Sequence, residues 1–208
     1  MKSGQFISIE GMDGAGKTSV MASLVRWILE QGHDVITTRE PGGTPLAESL
    51  RDLLLAPRDE AVDEDAELLL MVAARTQHVN KHIKPTLSAG KWVVSDRFFD
   101  ASFAYQGGGR GMLRERIASL HDWAMGSFSP NLTLLLDLPV TVGKARVAGR
   151  GEEETRFELE KIEFFERVRQ AYLARAEADP HRIIIIDATQ SPEEVQADVI
   201  RVLHSRFA

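Results

Sequence analysis

The residues best suited to chemistry lie near the amino terminus, in a glycine-rich segment that ends with a lysine and a threonine. Residues 11–18 match the pattern G-x-x-x-x-G-K-[ST] at every position. The glycines let backbone N–H groups converge on an anion, the lysine can reach β- and γ-phosphates, and the threonine hydroxyl can ligate Mg²⁺. The pattern predicts a nucleoside triphosphate site, with a structural glycine turn as the alternative. The segment comprises Gly11, Met12, Asp13, Gly14, Ala15, Gly16, Lys17 and Thr18.

The surroundings of this segment are those that phosphate binding requires. Residues 6–10 form an apolar strand pattern, and apolar residues at helical spacing follow the segment up to a helix stop at Gly32. A helix that begins there would add the partial positive charge of its N-terminus to the anion site. Both flanks therefore favour a phosphate-binding loop.

The rest of the chain narrows the class of nucleotide-binding protein. A regulatory GTPase would need Asn-Lys-x-Asp to recognise guanine, whereas Asn80 and Lys81 are followed by His82 and Ile83. A large motor ATPase would need more than 208 residues. The nucleotide and metabolite kinases remain, and these need a second phosphate site that faces the first.

Three further segments could supply that second site. The block T-R-E-P-G-G-T at 38–44 follows a predicted strand, at the sheet edge where ligands of such folds bind. The block S-D-R at 95–97 ends another strand, and A-Y-Q-G-G-G-R-G follows at 104–111. Met71 and Arg75 are four residues apart and share a helix face.

Together with the phosphate-binding loop, these blocks resemble those of thymidylate kinases, which pass the γ-phosphate of ATP to dTMP for dTTP synthesis. The resemblance covers essentially the whole chain, 1–208, as a single P-loop kinase domain. It implies the α/β fold of the P-loop nucleoside monophosphate kinases, a five-stranded parallel sheet flanked by helices. It also implies ATP as phosphoryl donor, Mg²⁺, and a homodimer packed through helices, for which the apolar faces of 66–83 and 114–124 are candidates.

The resemblance also implies roles for single residues. Arg97 and Arg51 would hold the dTMP phosphate, a task suited to the guanidinium fork. Arg75 would donate to a thymine carbonyl, and Tyr105 would pack against the sugar and exclude a ribose 2′-OH. The full set implied to bind dTMP is Glu40, Pro41, Arg51, Met71, Arg75, Arg97, Ser102, Tyr105 and Gln106.

Two acidic residues and the glycine loop complete the implied transfer site. Asp13 and Glu40 resemble family carboxylates near the sugar 3′-OH and the acceptor phosphate. Asp96 ends an apolar strand and, with Thr18, would hold Mg²⁺ directly or through water. The glycines at 107–109 and 111 would let the backbone approach the substrate, a flexible loop being the alternative.

A lid segment at about 146–157 is implied for closing over ATP and adding cations. No arginine lies within 11–18, so the arginine that stabilises transfer must come from elsewhere, as in the thymidylate kinases that carry it in the lid. Arg150 is the first candidate and Arg156 the second, while Arg146 could stack on adenine. Gln190 belongs to a segment that resembles the adenine-side loop of the family.

Each of these residues has a plainer alternative. Arg97 could form a surface ion pair with Asp96, and the other arginines could lie on solvated helix faces. Met71 stands where the family often has a Phe that stacks on thymine, and a thioether can still cover a ring face. His78 and His82 are four residues apart on a helix; without a third ligand, a partly exposed helical pair is favoured over a metal site. Two alternative functions also remain, another nucleoside monophosphate kinase and a non-catalytic nucleotide-binding protein.

The elements that must position these residues alternate between short apolar strands and longer helical patterns, which predicts a mostly parallel sheet covered by helices. Further strands are predicted at 33–38, 92–96, 132–137 and 182–187. Thr44 and Pro45 predict a helix start, and a helix over 68–83 is expected to end before Pro85. Apolar residues from Leu159 to Tyr172 predict the buried stripe of a long helix, and S-P-E-E at 191–194 is a capping-box start.

Composition limits the class of protein. The chain has 25 Lys and Arg residues and 31 Asp and Glu residues, which gives a net charge of −6. Nucleic acid and anionic membranes are therefore not expected partners. The absence of Cys excludes disulfides, thiolate metal sites and a cysteine nucleophile. The apolar runs are too short for a bilayer and the N-terminus lacks a signal-peptide pattern, which together predict a cytoplasmic protein.

Overall fold

The computed structural model has one five-stranded parallel sheet with helices on both faces, and it describes residues 4–148, 156–157 and 159–207. The strand order is β2-β3-β1-β4-β5, so the first strand lies at the centre. The strands are β1 Phe6–Glu10, β2 Val35–Arg39, β3 Trp92–Asp96, β4 Leu132–Asp137 and β5 Ile183–Asp187.

Helical segments connect these strands. They are α1 Lys17–Glu30, α2 Pro45–Leu55, α3 Glu64–His78, α4 Lys84–Ser88, α5 Phe99–Ser102, α6 Arg114–Met125, α7 Val140–Ala148, α8 Ile162–Ala178 and α9 Pro192–Phe207, together with π-helical segments at Val79–Ile83 and Phe103–Gly109. None of the helices in the described ranges is long and apolar enough to span a membrane.

The strand register brings three loops to one edge of the sheet. Ile9 on β1 lies beside Asp96 on β3, and Asp96 lies in turn beside Arg39 on β2. The segments that follow these three strands therefore leave the sheet side by side, where ligands of open parallel sheets bind.

Alternating strand residues build two cores, one on each face of the sheet. Phe6 and Val93 pack with α3 and α6 residues, whereas Ile7 and Val94 pack into a larger cluster with α1, α8 and α9. Because neighbouring strand residues point to opposite faces and helices cover both, side chains on both faces of the central strands are buried. The strands are accordingly fixed from both sides.

Most predicted elements are confirmed: β1, β3 and β4 have the predicted bounds, and β2 and β5 begin two residues and one residue later than expected. The hydroxyl of Thr44 accepts a hydrogen bond from Ala47 N at 3.3 Å, and Pro45 is the first residue of α2. On α8 the residues Phe165, Val168 and Tyr172 are buried as expected.

Three expectations differ from the structure. The helical path does not end before Pro85, because α3 continues through a π-helical segment into α4. Pro85 lies in the first turn of α4, where a backbone N–H is not required. Leu159 and Ile162 are about half exposed (59% and 47%), since α8 begins only at Ile162. The glycines at 107–109 lie in a π-helical segment and pack against protein, since a Cβ at Gly108 would lie 2.5 Å from the Ala171 side chain of α8, whereas a Cβ at Gly111 would meet nothing within 4 Å.

The capping box of α9 offers a test of its local contribution to stability. The N–H of Glu194 donates to Ser191 Oγ at 3.3 Å, and the N–H of Ser191 donates to Glu194 Oε2 at 3.0 Å. We expect Ser191→Ala to lower the free energy of unfolding by about 1 kcal/mol, as for other lost N-caps. Urea denaturation measures this. Ser205→Ala is the matched control, because Ser205 is exposed near the end of the same helix. An equal loss of unfolding free energy in the two variants would contradict the capping role of Ser191.

Candidate active site

The glycine loop joins the end of β1 to the start of α1. Gly11, Gly14 and Gly16 have φ values of 133°, 82° and 89°, which side-chain-bearing residues rarely adopt. At Gly14 a Cβ would also lie 2.3 Å from the carbonyl oxygen of Gly143 on α7. The loop therefore needs glycine both for its backbone turn and for its close approach to the neighbouring helix.

Lys17 folds back over this loop. Its Nζ donates to the carbonyl oxygens of Gly11 and Met12 at 3.3 and 3.2 Å and lies 3.4 Å from Asp13 Oδ1. The side chain is buried, so its ammonium group is held at the loop opening. This is the place from which a lysine can reach phosphate oxygens.

Asp13 and Arg97 connect the glycine loop with the end of β3. The Nη2 of Arg97 donates to Asp13 Oδ1 at 2.7 Å. Burial by itself would raise the pKa of Asp13, but Arg97 and Lys17 together hold that pKa well below its ordinary value. The carboxylate is thus ionised and neutralised by two cations at the junction of the two segments.

A cleft with a volume of about 270 Å³ opens beside this ion pair. Arg39, Arg51 and Arg97 line it together with Asp13. Arg51 Nη1 donates to Pro41 O at 2.8 Å, and burial, then the nearby Arg39, lower the pKa of the Arg51 guanidinium. With Arg75 at its other end, the cleft holds four guanidinium groups in a chain of net negative charge, and these form a local site for an anionic ligand.

The opposite end of the cleft is formed by a buried polar network around Arg75. Its Nε donates to Glu40 Oε2 at 2.5 Å and its Nη1 to Ser102 Oγ at 2.9 Å. The other oxygen of Glu40 lies 3.0 Å from His78 Nδ1, and His78 Nε2 lies 2.7 Å from Thr38 Oγ1. Arg75 is therefore fixed in direction, with N–H groups of its two terminal nitrogens still available to a ligand.

His78 corrects one expectation from the sequence. The pair His78 and His82 was expected to be partly exposed, but His78 is fully buried and supports Glu40. The ring of His82 stacks on that of His78, with centroids 5.8 Å apart. The spacing of two histidines on a helix could not show that β2 covers one of them.

Tyr105 and Gln106 line the cleft from the π-helical segment. The ring of Tyr105 lies 4.9 Å from the Arg97 guanidinium, and its hydroxyl is buried without a partner in the described residues. Gln106 Nε2 donates to Glu67 Oε1 at 2.8 Å. Since a carboxylate only accepts, the amide oxygen of Gln106 is left for a ligand.

The residues predicted for the lid and for the adenine side are only partly described. Arg146 lies in the last turn of α7, and its Nη1 donates to Gly14 O at 3.3 Å and Ala188 O at 3.1 Å. Gln190 Nε2 donates to Asp187 O at 3.0 Å, within the same loop after β5. Arg156 Nη2 donates to Glu67 Oε2 at 2.6 Å, whereas Arg150 lies outside the described residues.

Thr18 and Asp96 line a second, more open depression that adjoins the glycine loop. Asp96 Oδ1 is buried without a hydrogen-bond partner in the described part of the chain, and Lys17 Nζ lies 4.0 Å away. A hydroxyl and an unsatisfied carboxylate oxygen at a phosphate-binding loop are the hard oxygen donors that suit Mg²⁺. These two residues therefore fit the ion.

Some cleft residues were not predicted from the sequence. Arg39 lies in the quoted T-R-E-P-G-G-T block, and the structure shows that it lines the cleft, beside its register partner Asp96 on β3. Phe157 also lines the cleft, and its ring packs on Tyr105 with centroids 5.8 Å apart. Glu67 is fully buried and joins Gln106 to Arg156. Because Glu67 is one of several acidic residues in the stretch 59–67, the sequence gave no signal for this role.

The parallel sheet, the glycine loop and the facing arginine-lined cleft define a P-loop nucleoside monophosphate kinase. A family model of thymidylate kinase matches residues 9–199. Relatives named thymidylate kinase include one from Pseudomonas putida strain GB-1, 54% identical over 201 residues and covering 97% of this chain and 95% of its own. A second, from Chromohalobacter salexigens, is 51% identical over 209 residues and covers 100% of this chain and 99% of its own.

A solved structure is also similar. The crystal structure of thymidylate kinase from Ehrlichia chaffeensis superposes with a TM-score of 0.79 at 33% identity and covers 97% of this chain and 99% of that one. The chain belongs to the thymidylate kinase family. Its activity is the ATP-dependent phosphorylation of dTMP to dTDP, with ADP as the other product.

Comparing alanine variants of two glycines with similar backbone conformation distinguishes the cost of backbone strain from a loss of ATP binding. Gly14 and Gly32 have φ values of 82° and 78°, but a Cβ at Gly32 meets nothing within 4 Å. We expect both alanine variants to lose about 1–2 kcal/mol of stability to the left-handed backbone. Gly14→Ala should lose more and also bind ATP at least about tenfold more weakly, because the loop must shift. Calorimetric titration with ATP measures this, and equal ATP affinity of the two variants would contradict it.

Proposed function

We propose that dTMP occupies the arginine-lined cleft with its phosphate at Arg97 and Arg51, while ATP occupies the glycine loop. The observation that carries this arrangement is the 2.7 Å contact between Arg97 and Asp13, which joins the cleft to the loop. An acceptor phosphate held by Arg97 would then lie next to the γ-phosphate held over Lys17. Direct in-line transfer needs this adjacency and no phosphoenzyme.

The residues at the junction would act on the charge that spreads over the transferred group. Lys17 and the backbone N–H groups of the loop would neutralise the γ-phosphate, and Arg97 and Arg51 would hold the acceptor oxygen in line. Asp13, which is ionised and paired with Arg97, would orient that guanidinium and accept from the sugar 3′-OH. A loose transition state places little demand on a general base.

At the base end of the cleft, recognition of thymine would depend on groups that the protein already holds in place. Arg75, fixed by Glu40 and Ser102, would donate to a thymine carbonyl. The free amide oxygen of Gln106 would accept from the ring, and Met71 would cover the ring face. Pro41, which follows Glu40 through a cis peptide bond, belongs to the same wall.

The sugar would lie against Tyr105. The ring is buried between Arg97 and Phe157, so it has little freedom to move away from a substrate. A ribose 2′-OH would meet this ring, whereas a 2′-deoxyribose would not. The position of the Tyr105 ring therefore favours deoxynucleotides over ribonucleotides.

The donor side would include the metal and the adenine contacts. Thr18 and Asp96 would hold Mg²⁺, which when bound supplies charge neutralisation between the β- and γ-phosphates. Arg146, which bridges Gly14 and Ala188, would stack on adenine, with Gln190 beside it. The support for this placement is that α7 and the loop after β5 meet beside the glycine loop.

For the arginine that stabilises transfer we propose Arg150 first and Arg156 second. No arginine lies within residues 11–18, so the extra cation must come from another segment. Arg156 is engaged with Glu67 at 2.6 Å and would have to leave that carboxylate to reach ATP. This prior engagement favours Arg150.

The experiment that tests the proposal compares ADP formation with dTMP, dUMP, UMP, dCMP, dGMP and AMP as acceptors. We expect dTMP to be preferred and dUMP to be about 10- to 200-fold poorer, the usual effect of one fitted methyl group. Preference for another acceptor would contradict the residues assigned to base recognition, and the assignment of Met71 before the others.

The role of Arg51 is tested with the variant Arg51→Ala. It should lower kcat/KM for dTMP by about 10- to 100-fold, the equivalent of a charged hydrogen bond. Arg201→Ala is the control, because Arg201 is exposed.

We also propose a homodimer that packs through α3 and α6. Trp123 on α6 is 83% exposed and Leu69 on α3 is 54% exposed, and large apolar side chains at this exposure favour a partner surface. Sedimentation measures the mass directly. We expect a dimer for the natural chain and a monomer for Trp123→Glu, whereas Leu29→Glu, at an exposed apolar position on α1, should stay dimeric. A natural chain that sediments as a monomer contradicts the proposal.

A further inference from the structure

Glu10 is a buried carboxyl group for which the proposed phosphoryl transfer gives no role. It is the last residue of β1, directly before the glycine loop, and its side chain is fully buried. Both of its oxygens accept hydrogen bonds. The N–H of Phe98 donates to Oε1 at 2.7 Å, and the hydroxyl of Tyr172 donates to Oε2 at 2.7 Å.

The first of these contacts acts on the backbone that carries Arg97. Arg97 has a φ of 68° and is the one non-glycine residue with positive φ in the described ranges. A side-chain-bearing residue stays in this region only when its surroundings hold it there. The N–H of Arg97 donates to Ile9 O at 2.9 Å, and Glu10 takes the next N–H along the chain, that of Phe98. The turn is thus fixed by two consecutive residues of β1.

The second contact acts on the surface beneath the Arg97 guanidinium. Tyr172 lies edge-on to Tyr105, with ring centroids 6.4 Å apart at 85°. The ring of Tyr105 in turn lies 4.9 Å from the guanidinium carbon of Arg97. Glu10 therefore fixes Tyr172, which packs against the Tyr105 ring on which the side chain of Arg97 rests.

From these two contacts we infer that Glu10 is a positioning residue for Arg97, which fixes the turn of its backbone and the aromatic surface under its guanidinium. The inference rests on the proposed function, in which Arg97 holds the acceptor phosphate. Glu10 is buried and does not line the cleft, so it would touch no substrate. It would contribute to dTMP binding and alignment, and much less to ATP binding.

The charge state of Glu10 gives a readout that a merely structural residue would lack. Burial, and after it the nearby Asp100 on α5, raise the pKa of Glu10 to about 8, while Arg97 and the hydrogen bonds from Tyr172 and Phe98 act in the opposite direction. Asp100 is itself paired with Arg175 and Arg182. Tyr105 also faces this site, and the pKa values of both tyrosines are raised above their ordinary value, so both stay neutral.

Below a pH of about 8 the Glu10 side chain carries a proton, so it adds no negative charge to that of Asp13 beside Arg97. In that form the 2.7 Å hydrogen bond with Tyr172 can run from the carboxyl group to the phenol oxygen. As the pH rises through about 8, ionisation of Glu10 places a negative charge near Arg97. An added anion close to Arg97 weakens the attraction of that guanidinium for a phosphate. The KM for dTMP should therefore rise on the alkaline side.

The test measures KM for dTMP and for ATP separately in three variants at pH 7. Glu10→Leu removes both acceptors and should raise the KM for dTMP about tenfold, with the KM for ATP changed by less than about twofold. Glu10→Gln can keep both contacts and should stay within about twofold for both substrates. Ser8→Ala is the matched control on the same strand as Glu10: it removes the buried 2.8 Å hydrogen bond between Ser8 and Thr133 of β4 and should lower the Tm without a change in either KM.

The pH profile decides the inference even if Glu10→Leu fails to fold. Between pH 7 and pH 9 the KM for dTMP of the natural chain should rise several-fold, and that of Glu10→Gln should not. Ionisation of the substrate itself affects both proteins equally and cancels in the comparison. Identical profiles would overturn the inference, and so would a folded Glu10→Leu protein whose two KM values move together or not at all.

A parallel measurement on Arg97→Ala separates this inference from the proposed function. If Arg97→Ala leaves the KM for dTMP unchanged, the proposed role of Arg97 fails and the role of Glu10 with it. If Arg97→Ala raises that KM while the Glu10 variants match the natural chain at every pH, only the inference about Glu10 is wrong. A rise in both Arg97→Ala and Glu10→Leu, with rescue by Glu10→Gln, supports both.

Discussion

The parallel pairing of β1 with β3 is the constraint on which the rest of the site depends. Because Ile9 and Asp96 are register partners, the glycine loop after β1 and the turn after β3 leave the sheet as neighbours. That adjacency allows Arg97 to reach Asp13 at 2.7 Å and makes one continuous surface of the nucleotide loop and the cleft. A slip of one residue in this register would turn the alternating side chains to opposite faces and separate the two groups.

Around this junction, buried polar groups are held by partners from several elements. Arg75 on α3 is fixed by Glu40 after β2 and by Ser102 on α5, and Glu40 is in turn supported by His78. A buried charge without such partners would cost several kcal/mol, about 3–5 when one member of a pair is removed. The network therefore sets side-chain directions before any ligand arrives, which reduces the ordering that binding requires.

The sequence predicted much of the fold because its signals are local. Thr44 with Pro45 and the S-P-E-E start of α9 are capping patterns whose hydrogen bonds close within a few residues, and both are confirmed. The expected helix end before Pro85 is wrong for the opposite reason, because it depends on the path of the whole helix. The cost of Pro85 depends on its place within a helix, and a π-helical segment before it moved it into a first turn, where proline is tolerated.

By itself, the sequence determined the chemistry that is available: the glycine loop with Lys17 and Thr18, the arginines, and the blocks that mark a thymidylate kinase. These depend on residue type and spacing along the chain, which a sequence states directly. Only the tertiary structure decided which side chains meet. It buried His78 against Glu40 and brought Arg39 and Phe157 into the cleft. It also placed Glu10 between the N–H of Phe98 and the hydroxyl of Tyr172, which is 162 residues away from Glu10 along the chain. Such contacts arise from strand order and helix packing, and no local pattern encodes them.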